Sequence, residues 1–368
     1  MPYFQDNDGL LVVDKDGKFL LERNVDIRMV PASILKILTA LVALEAMGRE
    51  YRFETEVYLT KGGDLRIKGY GDPMFISEVM PDFVLMIKEK VLSFKKLFLD
   101  NTYFAPDLNI SGRSSSLRPH DAPPGALCSN YNTVVVKKEA NGSLKSGEGQ
   151  TPLVPMAKKA SQKAGITNGR FTITHNSDDA ARYTGELLLY FMNQAGIKNE
   201  NIIELSPVSE DDELILVFES PYTLEYIVQN MLEYSSNFIA NQLLLMLGAY
   251  FYGPEGTVEK GTNLIKNFLS INFGMKSPQI VEGSGLSREN LLSPREMLKI
   301  LDYFTPYRDL LVYKEQVWFK SGSLSGVKTR AGYIETSAGD FMPFIIMCGR
   351  NFIDIEKAML CLGRYFYH

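Results

Sequence analysis

Apolar residues along this 368-residue chain recur in two rhythms, and the changes between them divide it into elements. Two apolar runs flank Asp14-Lys15-Asp16-Gly17, which predicts a hairpin over residues 9–21. From Pro31 to Gly48 the rhythm is helical. Leu35, Leu38, Leu41, Val42 and Ala46 fall at steps of three and four, between a proline that suits a first turn and a glycine that suits an ending. Alternation then predicts strands over 53–59 and 64–67 about Lys61-Gly62-Gly63, a short helix over 83–91, and a buried strand over 96–100. Residues 111–125 are rich in serine, proline and arginine, the chemistry of a long loop. Strands are expected over 133–136 and 171–174, with a solvated turn at 137–149 between them, and a helix over 180–194 that stops at Gly196.

The second half begins with a strand at 214–218, after which Pro221 opens one long helical pattern that continues to Leu245. Helices follow over 257–268 and 293–304, the latter entered through Ser293-Pro294 with Glu296 at a capping-box position. Strands over 327–336 and 341–348 about Ala338-Gly339-Asp340 precede a closing helix over 353–367. Both ends carry long apolar helices, whereas the middle is rich in strands and loops, and no internal repeat is visible. The pattern predicts a core domain of residues 1–60 and 213–368, interrupted by an inserted domain of residues 61–212.

Composition narrows the chemistry. A net charge of -5 without a basic, aromatic-interleaved stripe argues against a nucleic-acid partner. Cys128, Cys348 and Cys361 are too scattered for a disulfide framework, and the last two lie in apolar runs that suit buried thiols. With only His120, His175 and His368 and no zinc-ligand spacing, neither a metal nor another cofactor is expected. No apolar run reaches the roughly 18 residues of a membrane-spanning helix. Met1 to Asp8 lack the apolar core of an export leader, so the expectation is a cytoplasmic protein or one whose leader has been removed.

Three stretches carry chemistry. Ser33 and Lys36 stand three apart at the head of the first helix, where an amine can reach a hydroxyl, and an unprotonated lysine is one way to activate serine. Ser235-Ser236-Asn237 offers a hydroxyl able to pass a proton and an amide able to hold a peptide carbonyl. Tyr234 is one residue out of register for a Tyr-x-Asn arrangement and is set aside as a base. Apolar residues from Val317 lead into Lys320-Ser321-Gly322-Ser323, a strand carrying cation, hydroxyl and bare backbone, where glycine would let a substrate lie close. Singly each is a common short pattern; in the order Ser-x-x-Lys, Ser-x-Asn, Lys-Ser-Gly they form the set of penicillin-binding proteins and class A β-lactamases.

The sequence resembles the low-molecular-mass class C penicillin-binding proteins, the D-alanyl-D-alanine carboxypeptidase/endopeptidases of peptidase family S13 type. The likeness extends to Gly71-Asp72-Pro73, Ala122-Pro123-Pro124-Gly125-Ala126-Leu127, Gly283-Ser284-Gly285-Leu286-Ser287-Arg288 and Gly322 through Tyr333. Two features depart from it: Ser321 stands where the family usually has threonine, and only about 200 residues separate Ser33 from Ser235, so a nested third domain is expected to be small or missing.

The resemblance implies a mixed α/β (α+β) fold with a serine penicillin-recognising core, an antiparallel sheet flanked by helices with the Ser33 helix central and the Lys320 strand at the sheet's edge, plus an inserted mainly-β domain. It implies that Ser33 attacks a terminal D-alanyl-D-alanine bond, Lys36 takes its proton and Ser235 relays one to the leaving D-alanine. Asn237 would hold the substrate amide, and Lys320, Ser321 and Ser323 the carboxylate, with an oxyanion between the backbone N–H groups of Ser33 and Ser323. The charge of Lys320 is expected to keep Lys36 neutral. Peptidoglycan stem peptides would be the substrate, β-lactams covalent inhibitors, and the location periplasmic or otherwise extracytoplasmic. Two other readings compete: a β-lactamase, for which Glu259 and Asn263 supply a Glu-x-x-x-Asn element, and a non-catalytic peptidoglycan-binding or β-lactam-sensing module.

Overall fold

The hairpin at the start of the chain is the seed of the larger sheet. A computed structural model describes residues 4–349 and residue 357; the predicted closing helix, Cys361 and His368 lie outside them. Strands β1 (Gly9–Val13) and β2 (Phe19–Arg23) meet at a turn in which the Asp14 carboxylate accepts the backbone N–H of Asp16 and Lys18. A 3-10 turn, Ala32–Leu35, then leads into α1 (Lys36–Met47), which Gly48 ends at a positive φ of 82°. Every residue of α1 from Lys36 to Leu44 is buried, as its almost wholly apolar surface requires.

The chain next builds β3 (Arg52–Leu59), β4 (Leu65–Gly69), α2 (Met80–Lys88), β5 (Lys96–Asp100), β6 (Thr133–Lys138), β7 (Leu144–Ser146), α3 (Pro155–Ala164), β8 (Asn168–Thr172), α4 (Ser177–Gln194), β9 (Ile202–Leu205) and β10 (Glu213–Thr223). It returns through α5 (Leu224–Glu233), α6 (Asn237–Tyr252), α7 (Val258–Phe273) and α8 (Pro294–Phe304), and then β11 (Val312–Lys314), β12 (Val317–Leu324), β13 (Val327–Glu335) and β14 (Phe341–Cys348). The predicted capping box is present, Ser293 and Glu296 bonding each other's backbone at the head of α8.

Among the described residues the first sheet runs β11-β12-β13-β14-β1-β2, each recorded pairing antiparallel. One face packs on α1 and its helical neighbours in a core containing Ile34, Leu41, Leu243, Ile300 and Ile345. β12 is next to last in its sheet, not at the edge: β11 pairs with Val317, Trp318 and Phe319 only, which leaves Lys320 to Leu324 as open edge. A second sheet, β10-β3-β4-β5-β9, and a third, β7-β6-β8, make up the inserted segment with α2, α3 and α4 packed into its own core.

Three differences from the sequence reading have physical causes. β3 and β10 pair with each other in the insertion's sheet, so sheet membership carries the crossings from the expected 60/61 and 212/213 to about residues 51 and 224. The single helical pattern after Pro221 is divided: β10 runs through Thr223, and α5 and α6 are separated at 234–236, where Ser235 takes a positive φ of 55° and Ser236 caps α6 by accepting the N–H of Ile239. Helix α3 was unannounced because it buries little besides Ala157 and Ser161, small residues that raise no apolar rhythm.

Candidate active site

Ser33 lies in the 3-10 turn and Lys36 is the first residue of α1, so the two side chains are brought onto one face by the eclipsed three-residue period of the turn, not by an α-helix as expected. The turn is held from both sides. Thr329 on β13 donates its hydroxyl to the Pro31 carbonyl at 2.7 Å, while Gly285 lies so close beneath that a Cβ there would stand 1.8 Å from the Ala32 carbonyl oxygen. Ala32 itself has a positive φ of 49°.

Lys36 is the hub. Its Nζ donates to Ser33 Oγ at 3.1 Å, to Asn237 Oδ1 at 2.7 Å and to the Ser284 carbonyl at 2.7 Å, and the residue is fully buried. All three partners are acceptors without formal charge. Burial lowers the amine to a pKa of about 7; the positive charge of Lys320 pushes the same way and the Glu282 carboxylate opposes. Burial, not Lys320, is thus the larger cause, which corrects the sequence expectation. Lys320 is itself buried and lowered to about 8 by desolvation, its Nζ donating to the Ser321 carbonyl at 2.9 Å.

Glu282 was missed by sequence reasoning. It is fully buried and accepts hydrogen bonds from Ser284 N–H, Ser284 hydroxyl, Gly285 N–H, Ser287 N–H and the Asn290 amide, folding the 282–290 loop so that the Ser284 carbonyl meets Lys36. Thr39 reinforces it by donating to the Gly283 carbonyl at 2.6 Å, and Asn241 by accepting the Gly283 N–H. A lone glutamate beside a Gly-Ser-Gly run has no signature spacing; only the fold turns its carboxylate inward.

On β12 the side chains alternate: Lys320 and Gly322 face inward, Ser321 and Ser323 are exposed. A Cβ on Gly322 would stand 2.2 Å from Thr329 Oγ1 and 2.8 Å from the Ser33 nitrogen. The glycine therefore makes room for the Ser33 turn. Ser323 accepts from Lys328 at 2.9 Å, a second cation at this edge that the sequence did not flag. Ser235 makes no hydrogen bond to Ser33 or Lys36; it stands with Asn237, Tyr131 and Tyr234 on the wall of an open cavity of about 570 Å³. Tyr234 is 71% exposed, which suits its exclusion as a base. Glu259 and Asn263 of the competing lactamase element sit exposed on α7. Among the described residues no cluster could hold a metal ion, and no helix is long and apolar enough to cross a membrane.

A serine turn leading into a buried helix that packs against an antiparallel sheet is the fold of the penicillin-recognising enzymes. The family model of D-Ala-D-Ala carboxypeptidase 3 (S13) matches residues 2–170 and 167–317, and the chain belongs to that family. It is 23% identical to D-alanyl-D-alanine carboxypeptidase DacB of Haemophilus influenzae over 89% of this chain and 82% of that protein. Against the D-alanyl-D-alanine carboxypeptidase of Actinomadura sp. (strain R39) it is 25% identical, spanning 80% of this chain and 63% of the relative. The crystal structure of penicillin binding protein 4 (dacB) from Haemophilus influenzae superimposes with a TM-score of 0.75 at 21% identity, covering 95% of this chain and 92% of that one. The same protein has been solved in complex with a β-lactam.

Proposed function

We propose that the protein is a serine D-alanyl-D-alanine carboxypeptidase/endopeptidase acting on peptidoglycan stem peptides outside the cytoplasmic membrane, through an acyl-enzyme on Ser33. The observation that carries this reading is the buried Lys36 amine, 3.1 Å from Ser33 Oγ and lowered to a pKa of about 7, which leaves a large neutral fraction at neutral pH. Ser33 Oγ bonds to the carbonyl carbon of the penultimate D-alanine while its proton passes to Lys36. The C–N bond then breaks, and the leaving D-alanine takes the proton back, relayed by Ser235. Water cleaves the ester and releases the shortened peptide.

Asn237 has its Oδ1 engaged by Lys36, which leaves its amide N–H groups for a peptide carbonyl. Lys320, Ser321 and Ser323, with Lys328 beside them, would receive the terminal carboxylate along the open edge of β12. The backbone N–H groups of Ser33 and Ser323 are the proposed oxyanion donors, where loss of one such donor costs about 10²–10³ in rate. β-Lactams would enter the same pocket and remain as esters.

Labelling with a fluorescent penicillin tests the assignment: the native chain takes up one covalent label and Ser33→Ala takes up none. A Ser33→Ala chain that still labels has its nucleophile elsewhere. Release of D-alanine from a pentapeptide separates the enzyme from a binding module, and slow, single-burst reaction with nitrocefin separates it from a β-lactamase.

A further inference from the structure

The open cavity of about 570 Å³ walled by Ser235 and Asn237 lies between the helical core, which also supplies Tyr234, and the inserted segment, which supplies His120, Tyr131 and Arg170 among others. None of Lys320 to Ser323 lines it, so it leads away from Asn237 on a side that the β12 edge does not wall. Two of its aromatic side chains stand on backbone that L residues rarely adopt. Asn130, Tyr131 and Asn132 take φ values of 48°, 60° and 52°, three left-handed residues in succession. Side-chain bonds hold them there. Asn130 accepts the Ser77 N–H at 2.9 Å and donates to the Ser77 hydroxyl at 2.8 Å, and Asn132 donates to the Pro123 carbonyl at 2.8 Å. Tyr234, 71% exposed, precedes Ser235 with its φ of 55°. Left-handed backbone fixed by its surroundings collects at ligand clamps, and aromatic walls with a few convergent polar groups are the usual lining of a ligand pocket.

The wall carries Arg170 and His120 and, among the described residues, no aspartate or glutamate. The Arg170 side chain is 34% exposed; one terminal nitrogen donates to the Thr133 hydroxyl at 2.8 Å and the other to the Glu148 carboxylate, which is not on the wall. A guanidinium has five N–H donors, so these two bonds leave room for a second carboxylate. We infer that this cavity receives the stem peptide upstream of the bond that Ser33 attacks, and that Arg170 pairs there with a carboxylate of that peptide. The inference rests on the acyl-enzyme reading for its direction. With Asn237 holding the substrate amide and the terminal carboxylate lying along β12, the rest of the peptide leaves past Asn237. Two carboxylates of a stem peptide lie on that side: the α-carboxylate of a γ-linked glutamyl residue and, where the next residue is diaminopimelate, the one on its side chain. Glu148 competes with either for Arg170.

The test is calorimetric titration of the full Ser33→Ala chain with three synthetic pentapeptides ending in D-alanyl-D-alanine. The first has a free glutamyl α-carboxylate followed by L-lysine, the second has that carboxylate amidated, and the third has the amide followed by meso-diaminopimelate. A carboxylate peptide is expected to bind about fivefold tighter than the amidated lysine peptide, the gain of one exposed ion pair, and the peptide that does so identifies the carboxylate. Arg170→Gln on the same background is expected to bring that ratio close to one, and Glu148→Gln, which removes the competitor, to raise it. A purely structural role would make both variants weaken all three peptides alike. Equal affinity for the three peptides, a ratio that Arg170→Gln leaves unchanged, or one that Glu148→Gln lowers overturns the inference. Should Arg170→Gln not fold by circular dichroism, Glu148→Gln decides: a raised ratio supports the pairing and an unchanged one refutes it. Release of D-alanine by the native chain is measured separately. Its absence with all three peptides counts against the acyl-enzyme reading, while the affinity ratios still decide the role of Arg170.

Discussion

At the scale of single residues, the proposed chemistry rests on one buried amine whose pKa is brought down to about 7. Acylation should rise with pH as Lys36 loses its proton near 7, and binding of a carboxylate-bearing substrate should fall as Lys320 loses its own near 8. The two neighbours that tune Lys36 act with opposite sign. Removing the positive charge in Lys320→Gln raises the Lys36 pKa and shifts the acidic limb of the acylation profile upward. Removing the negative charge in Glu282→Gln lowers it and shifts that limb downward. Second-order rates of penicillin acylation measured from pH 5 to 9 check both directions. Glu282→Gln also gives up hydrogen bonds to a buried carboxylate and is expected to lower stability by about 1–3 kcal/mol per unsatisfied partner, read by urea unfolding. The triplets that hold Ser33, Lys36 and Asn237 were legible in the sequence because their roles demand particular side chains at short spacing. Glu282 was not, because its partners are mostly backbone N–H groups and its role depends on how one loop closes.

At the scale of elements, the site is the meeting of a turn and a strand edge. β12 approaches the Ser33 turn at Gly322, and nothing larger fits between Thr329 and the Ser33 nitrogen. Gly322→Ala should therefore displace the strand and cost about 10² in acylation rate, for an overpacking penalty of about 1–3 kcal/mol. Comparing its penicillin-labelling rate with its urea midpoint would separate the two effects; unchanged labelling would mean that the strand does not position the turn. The hairpin of β1 and β2, the Ser33 helix and the β13–β14 pair could be read from apolar rhythm because each has a clear face and a marked turn. The division between α5 and α6 could not, since apolar periodicity runs through it and the break is a backbone event at Ser235.

At the scale of the whole molecule, the inserted segment is tied to the helical core through Gln242 of α6. Its side chain is fully buried, donates to the Gly125 carbonyl at 2.5 Å and accepts the Gly125 N–H at 3.3 Å, a two-point link to a peptide of the segment after the 105–125 loop turns inward. Gln242→Leu leaves that peptide unpaired and is expected to cost about 1–3 kcal/mol for each orphaned group. Urea unfolding followed by near-ultraviolet circular dichroism measures the loss, and an unchanged midpoint would show that the link contributes nothing. By sheet membership the insertion begins and ends about ten residues outside the crossings expected from the sequence, because neither the alternating run of β3 nor the unbroken apolar run of β10 says which sheet it joins, and only their pairing with each other assigns them.

The sequence by itself determined the elements with a strong apolar rhythm and the three chemical triplets, since both are written in side-chain identity at short range. The tertiary structure alone decided that Lys36 is sealed from water, that its three partners are uncharged acceptors, and that Gly322 serves the Ser33 turn. Desolvation and close backbone approach arise only when segments far apart in the chain exclude water together, and no local pattern encodes that distance.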